Sequence, residues 1–529
     1  MYKRFSIFMS FWKKAKEKPM VISLALLLAI QFFLIAFSNL TLIEQNLDCD
    51  NAKLLKHIIT MWEEKTIAIP QWSYTTTLEW DCTTLFALPL YGLTNNIYLS
   101  CTLSNIIFTL IFIRVIFLLF EGSDPLYPLI SANLICIPYR VGMLDYYNML
   151  FFAGAQYIVK ILIPLLLIGI LLLTEKKKPL AKNRHFWIFT VLYLVLLSVS
   201  SSSSGIYVAV CGLIPVLVIY LVYKFLKWER IPTLVFVLIG CSFLCILGGL
   251  KVNKLIMNGT RADSMVFCSV FTMQENVSSC FFGLFELIGG NTTDLNTVIF
   301  SVDGIIMLAK CCLMVVFLIC GAYALVKCAK KRGDLRIMLL LSVFVWNYFI
   351  LNVSNTRAGS STYEYRYHLI GMLPLMCVAV IIIVQWFRSL SHIQQKWLFL
   401  CVFMAFFVFQ GLVFREVFIR GEQNSSLKEL VAYMDDTDLD TVYMYYGSND
   451  ADICRLLDED CLYLHVGNEA LTWAFDYYSK YEDAQLWTEN AIVAVFDPNN
   501  DMDDSIELGG HLLVRFDNVG DRSLYYFAD

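Results

Sequence analysis

The sequence has few charged residues for its length. Only 16% of its 529 residues are Asp, Glu, Lys or Arg, whereas about a quarter are charged in an ordinary soluble domain. By contrast, 58% are hydrophobic and 15% aromatic, and disordered chains have the opposite composition. The scarcity of charge therefore excludes both a soluble globular protein and an unfolded chain, and it indicates several membrane spans of about 20 apolar residues each.

Other absences restrict the chemistry. The chain has only six His and no cluster of His or Cys at metal-ligand spacing, so a transition-metal site is not expected, although Asp and Glu leave a divalent cation as an option. No glycine-rich phosphate loop is present, which argues against direct use of a cytoplasmic nucleotide. We also expect no nucleic-acid partner. No internal repeat is visible, and this weakens without excluding a transporter built from inverted halves.

The formal net charge of -5 conceals two unlike regions. Residues 421–529 contain 24 acidic and 5 basic side chains, a net charge of -19, and residues 1–420 have a net charge of +14. We therefore expect a transmembrane domain over 1–420 and an acidic extracytoplasmic α/β domain over 421–529. Strand-like runs lie at 441–447, 461–466, 491–496, 511–516 and 523–528, between Asp-, Asn- and Gly-rich turns.

Eleven apolar runs predict a polytopic α-helical protein with about 11 transmembrane helices. They lie near 19–43, 97–120, 125–141, 148–173, 186–203, 206–223, 231–250, 302–326, 337–353, 369–386 and 397–415. Lys and Arg accumulate in alternate connections, which by the positive-inside rule puts the N-terminus in the cytoplasm and the C-terminal domain outside. We expect an integral protein of the bacterial plasma membrane, surrounded by membrane lipids, with a first outer loop at 44–96.

That loop carries two pairs of acidic residues. Asp48 and Asp50 directly follow the first span, and the apolar positions after them recur at helical spacing, which predicts an interfacial helix lying on the bilayer. Alternatively, the two Asp only cap this helix and complement its dipole. Glu79 and Asp81 lie further along in apolar and hydroxylated surroundings, where they either join the first pair in one polar cavity or form a solvated loop face.

Three segments carry a resemblance to a known family. They are TTLEWDCTTLFALPLYGLT in the first outer loop, STYEYRYHLIGMLPLMCVAV before the tenth span, and SLKELVAYMDDTDLDTVYMYY at the start of the acidic tail. Together with the acidic motif after the first span, they resemble the membrane glycosyltransferases of the C-type superfamily (GT-C), in particular the protein-mannosyltransferase and aminoarabinose-transferase branch.

The resemblance implies an inverting transfer of a sugar from a polyprenyl-phosphate donor. By position Asp50 matches the family's catalytic carboxylate, with Asp48 as the alternative, because Asn51 stands where the family commonly has an acidic partner. Glu79 and Asp81 match the acidic positions that shape an acceptor or ion site. Arg366 and Tyr367 match the Arg-Tyr pair before the late helix and are expected to bind the donor phosphate.

The chemistry itself asks for a carboxylate and a cation on one membrane face. Transfer to a hydroxyl needs a base on the acceptor and a positive group near the departing phosphate. Besides Arg366, the candidate cations are Arg140 and Arg357, followed by Lys53 and His368. Arg140 with Asp145 fits a structural ion pair at a helix end equally well.

We therefore predict an inverting glycosyltransferase that acts on an extracytoplasmic glycan, lipid or protein acceptor. Two alternatives stay open. One is a transporter or flippase of lipid-linked glycans, which should hold ionisable residues near the middle of its spans. The other is a catalytically silent relative that retains the fold and serves as a membrane scaffold.

Overall fold

The computed structural model describes most of the chain. The described residues are 19–70, 72, 74, 77–176, 184–257, 266–291, 297–330, 334–355, 364–446, 450–466 and 490–528. In chain order the α-helices are α1 Pro19–Leu42, α2 Cys49–Glu63, α3 Thr84–Thr94, α4 Ile97–Leu119, α5 Leu126–Ile135, α6 Tyr146–Phe151, α7 Ile158–Thr174, α8 Arg184–Ser204, α9 Ala209–Leu226, α10 Thr233–Ile256, α11 Val270–Leu287, α12 Val302–Ala329, α13 Leu335–Val353, α14 Leu369–Ser389, α15 His392–Ile419, α16 Ser425–Asp435 and α17 Ala451–Leu457.

The membrane domain is a helical bundle, as the apolar runs predict. Within the described residues, nine helices are long and apolar enough to cross a membrane: α1, α4, α8, α9, α10, α12, α13, α14 with the 3₁₀ turn Tyr365–His368 before it, and α15. They correspond to nine of the eleven predicted spans. The runs at 125–141 and 148–173 instead contain the shorter helices α5 and α7, of 10 and 17 residues. The protein is thus an integral membrane protein, with fewer full-length spans than expected.

The centre of the bundle is formed by α7 and α14. Sixteen of the 17 residues of α7 are buried, and so is most of α14. By contrast, α10 and α15 are mostly exposed along their lengths, as expected of helices at the lipid-facing periphery. Helices enclosed in this way contact little lipid, whether they are as short as α7, with 17 residues, or as long as α14, with 21.

Hydrogen bonds inside the bundle tie α1 and α4 to the turn between α6 and α7. The side chain of Asn39 donates to the carbonyl oxygen of Phe151 at 2.8 Å, and Asn105 donates to that of Ala153 at 2.8 Å. Ala153 and Ala155 both have positive φ angles, of 48° and 41°. Since Ala rarely adopts this conformation, the turn depends on its neighbours to hold it.

The first outer loop folds into the protein rather than onto the bilayer. A helix is present as predicted, α2, but most residues from Asn51 to Met61 are buried by α3, α4 and α17. Its apolar face, which was expected to lie against the bilayer, is therefore covered by protein.

The C-terminal domain is α/β, with six strands in one mixed sheet. Its strands are β3 Thr441–Tyr445, β4 Leu462–His465, β5 Ala491–Phe496, β6 Ser505–Leu508, β7 His511–Val519 and β8 Arg522–Phe527, after a short pair formed by β1 Val266–Phe267 and β2 Ser354–Asn355 in the membrane domain. The sheet order is β4-β3-β5-β8-β7-β6, with β3 parallel to β4 and β5 and the remaining pairs antiparallel. Five strands match the predicted runs, and β6 is additional.

This domain rests on the first outer loop. Lys428 Nζ lies 2.9 Å from Glu44 Oε1, and the amide of Gln423 donates to the carbonyl oxygen of Gln45 at 2.9 Å. Helix α17 packs on α2. The acidic domain therefore covers the helix that carries Asp48 and Asp50. Each of the 17 cysteines, all within the described residues, is a free thiol.

Candidate active site

The two N-terminal carboxylates of α2 have different surroundings. Asp48 is the N-cap residue: its carboxylate accepts the amide of Asn51 at 2.9 Å and the side-chain amide of Asn51 at 2.8 Å. Asn148 also donates to it, and burial raises its pKa to about 6. Asp48 thus has the capping role that was the alternative interpretation of the pair.

Asp50 lies in the first turn of α2 and is not part of the cap. Among the described residues it has no ion-pair partner within 4.0 Å and accepts no side-chain hydrogen bond. Burial raises the pKa of its carboxyl, while the charges of Arg366 and Lys53 act in the opposite direction. The fold therefore brings Asp50 into the electrostatic field of Arg366, which is far away in the sequence.

Glu79 is paired with Lys53, whose charge acts on Asp50. Its carboxylate lies 2.5 Å from Lys53 Nζ and 3.3 Å from His57 Nδ1, and all three side chains are largely buried. Burial raises the pKa of Glu79, but the charge of Lys53 and the contact with His57 outweigh it, so the pKa is below the ordinary value. Glu79 is thus an ionised anchor for the lysine next to Asp50.

Two details support a constrained arrangement here. Glu79 has a φ of 62°, a left-handed conformation that is uncommon for a residue with a side chain. The ring of His57 is stacked on Trp72 at a centroid distance of 4.4 Å. Backbone strain of this kind persists where the surroundings fix it and is frequent at functional sites.

Arg366 lies in the 3₁₀ turn Tyr365–His368 and faces the same cluster. Its Nε is 2.5 Å from Glu364 Oε2, and its guanidinium lies 5.7 Å from the ring centroid of Tyr367. It also interacts electrostatically with Tyr157 and Asp50. Arg366 is therefore close enough to Asp50 for their charges to interact, and Tyr367 lies beside Arg366.

Asp81 lies apart from this cluster and is fully buried. Its Oδ2 accepts hydrogen bonds from Ser200 and Ser204, both at 2.8 Å, and Lys160 Nζ lies 3.4 Å from Oδ1. The serine-rich end of α8 thus holds the loop that carries Glu79. These contacts leave Asp81 little surface for an acceptor.

Arg140 belongs to a second ionic cluster. Its Nε lies 3.0 Å from Asp145 Oδ1, and its Nη1 donates to the carbonyl oxygen of Glu286 at 3.0 Å. The hydroxyl of Tyr365 donates to the same Asp145 oxygen at 2.7 Å. Arg140 is therefore in the structural ion pair that was its alternative interpretation. Arg357 lies outside the described residues.

The described residues contain no group of three His, Cys, Asp or Glu side chains placed to hold a metal ion. A cavity of about 270 Å³ lies elsewhere, at the far end of α4, lined by residues such as Leu119, Glu175, Lys176 and Arg336. It lies at the C-terminal end of α4, whereas the first outer loop precedes the N-terminal end, so the cavity is separate from Asp50.

Sequence reasoning missed His57, Glu364 and Tyr157 as members of the cluster. A signal for the first existed, because Asp50, Lys53 and His57 are spaced by three and four residues and so share one face of a helix. No local pattern points to Tyr157, which the turn between α6 and α7 brings to Arg366.

The sequence matches no protein-family model, and no curated protein sequence matches it significantly. Solved structures do match. The crystal structure of ArnT from Cupriavidus metallidurans in the apo state has 10% sequence identity and a TM-score of 0.55, over 95% of this chain and 97% of that one. The structure of the same protein bound to undecaprenyl phosphate has 9% identity and a TM-score of 0.53 over the same shares. The likeness spans nearly the whole of both chains, and it confirms that this protein has the GT-C fold.

Proposed function

We propose that this protein is an inverting glycosyltransferase that moves a sugar from a polyprenyl-phosphate donor to an extracytoplasmic acceptor. The observation that carries the proposal is that Asp50 is a buried carboxylate without an ion-pair partner among the described residues and interacts electrostatically with the guanidinium of Arg366. The likeness to a structure that contains undecaprenyl phosphate supports the donor class.

In the proposed reaction Asp50 accepts the proton of the acceptor hydroxyl. The acceptor oxygen then forms a bond to the anomeric carbon on the face opposite the phosphate. The bond from that carbon to the phosphate oxygen breaks, and its electron pair leaves with the polyprenyl phosphate. A single displacement of this kind inverts the anomeric configuration.

Arg366 stabilises the charge that develops on the leaving phosphate, since a guanidinium can bind two phosphate oxygens at once. Tyr367, against which Arg366 lies, offers a hydroxyl donor to the same group. Positioned base catalysis contributes about 10² to 10⁴ in rate, and preorganised charge at the leaving group adds to it.

Glu79 and Asp81 have different parts in this proposal. Glu79 orients Lys53 beside Asp50 and shapes the acceptor side of the site. Asp81 acts at a distance, because its contacts with Lys160 and α8 fix the loop on which Glu79 lies. The acidic C-terminal domain covers α2 and so selects the acceptor, whether a glycan, a lipid or a protein.

The alternatives are a transporter or flippase of lipid-linked glycans and a catalytically silent scaffold. A transport pathway requires ionisable residues inside the spans. Lys310 in α12 is such a residue, but its Nζ lies 3.5 Å from Glu416 Oε2 in the last turn of α15. This placement near a bundle end favours the enzyme.

The experiment that tests the proposal compares membranes containing the wild-type protein with membranes containing the Asp50→Asn variant. The lipid-linked sugars in both are identified by mass spectrometry. We expect one polyprenyl-phosphate sugar to be consumed only in the wild-type membranes. Identical lipid-linked sugar pools, with equal amounts of folded protein, contradict the proposal.

A further inference from the structure

Helix α11 exposes large apolar side chains although it is not one of the membrane spans. Phe271, Phe281 and Phe282 are 69%, 45% and 55% exposed. The residues that flank the helix continue this surface, since Phe267 is 85% and Phe300 is 90% exposed. An apolar surface of this kind on a folded protein marks an interaction site.

The helix has three distinct faces. One face packs on the protein through Asn276, Cys280, Gly283, Leu284 and Leu287. A second face carries the exposed Val270, Val277 and Phe281 along one line, with Gln274 and Ser278 next to them. Phe271 and Phe282 follow on the side toward Glu275. The third face carries Glu275 and Ser279, both exposed. A helix that contacts protein, an apolar medium and water at the same time needs a different kind of face toward each of them.

The position of α11 in the fold identifies the apolar medium. Before it, β1 pairs with β2, which directly follows the span α13. After it, the exposed Val298, Ile299 and Phe300 directly precede the span α12. Helix α11 also packs against α12 and α13, on which Ile305 and Phe349 are exposed, so its apolar surface adjoins lipid-facing spans.

From these observations we propose that α11 lies in the membrane interface with its phenylalanine face among the lipid acyl chains near the headgroups. Gln274 and Ser278 suit this shallow position, because polar side chains can reach headgroups there and not in the hydrocarbon core. The polar flank with Glu275 and Ser279 then faces water.

The same helix contacts the ionic cluster beside the candidate site. Arg140 Nη1 lies 3.4 Å from Glu286 Oε1, and it donates to the carbonyl oxygen of Glu286 in the last turn of α11. Because Arg140 and Tyr365 share Asp145, this chain of contacts reaches the turn that holds Arg366. An interfacial α11 therefore holds that turn at a fixed depth relative to the bilayer surface. This inference does not depend on the proposed transfer reaction.

A photoreactive benzophenone amino acid tests the proposal when it replaces Phe281 in one variant and Ser279 in another. Both positions are exposed, and they lie on different faces of the same turn. The full-length variants are reconstituted in phospholipid vesicles, irradiated and digested, and lipid adducts are quantified by mass spectrometry.

We expect several-fold more lipid adducts from position 281 than from position 279. Adducts at 281 that are no more frequent than at 279, or that join two copies of the chain instead of lipid, overturn the proposal. An unchanged melting temperature of both variants shows that the bundle is intact. The difference in lipid adducts then reports the position of α11 and not unfolding.

Discussion

Two ionic clusters lie side by side in this protein, and they differ in how completely their charges are matched. In the cluster of Arg140, Asp145 and Tyr365, the carboxylate and the guanidinium bind each other, and both have further hydrogen-bond partners. In the cluster of Asp50 and Arg366, the carboxylate is left without an ion pair among the described residues. A matched cluster stabilises the fold, whereas an unmatched carboxylate beside a cation is available for chemistry.

The largest effect is expected from removing the unmatched carboxylate. Asp50→Asn should lower the rate of sugar transfer by about 10² to 10⁴, the range for a positioned base. Asp48→Asn is the matched control two residues away, since Asn is also a good N-cap residue and should leave most of the activity. The initial rates of both variants, measured in the same vesicles, check this. Equal losses in the two variants contradict the distinction between base and cap.

The ion pair of Glu79 with Lys53 should contribute to the free energy of unfolding. Glu79→Gln leaves Lys53 buried without its carboxylate, and breaking a buried pair in this way costs about 3 kcal/mol in the free energy of unfolding. Replacing Lys53 by Met as well should recover most of that loss, because neither charge of the Glu79–Lys53 pair then remains buried. Thermal unfolding of the two single variants and the double variant in detergent measures the coupling. Additive losses would show that the two side chains do not interact.

A substitution in the matched cluster should lower the stability of the protein and leave its binding of the sugar donor unchanged. Asp145→Asn removes the charge shared by Arg140 and Tyr365 and should lower the free energy of unfolding by about 2 kcal/mol, as for hydrogen bonds to a charged group. The KM for the lipid-linked sugar should stay within a few-fold of wild type. A large rise in KM with unchanged stability would mean that this cluster binds the donor.

The smallest effect is expected in the pH profile. Burial raises the pKa of Asp50, so its carboxylate takes up a proton at a higher pH than an ordinary Asp. Since only the ionised form accepts a proton, the transfer rate should fall as the pH decreases through that raised value. Asp48→Asn should retain this acidic limb and move it only slightly to lower pH, because the Asp48 carboxylate, whose own pKa is raised to about 6, repels that of Asp50. Loss of the limb in that variant identifies Asp48 as the base.

Much of the fold follows from local sequence patterns. Nine spans and five strands could be predicted because long apolar runs and alternating patterns each determine one element by themselves. The placement of α2 could not, since its apolar face fits a bilayer and a protein core equally well. The predicted spans at 125–141 and 148–173 are longer than the helices α5 and α7 that they contain, for a related reason. Hydropathy does not distinguish an apolar segment buried by neighbouring helices from one that crosses the bilayer.

The site was predicted in part. The acidic residues after the first span and the Arg-Tyr pair could be named from a resemblance, but their meeting depends on the packing of α2, α7 and the turn before α14. The sequence alone does not show which of Asp48 and Asp50 caps the helix and which is the candidate base, because capping depends on backbone geometry. Asp81 and Arg140 have the same residue types as Asp50 and Arg366, and only their partners separate them from the cluster of Asp50.

The most direct test of the account is a titration of the purified protein with undecaprenyl phosphate. Wild type, Arg366→Gln and Arg140→Gln are compared by native mass spectrometry at one salt concentration. The account predicts that Arg366→Gln loses affinity by about 10- to 100-fold, as expected for the loss of charge-assisted hydrogen bonds, and that Arg140→Gln binds as wild type does. Unchanged binding by Arg366→Gln together with lost binding by Arg140→Gln would contradict it.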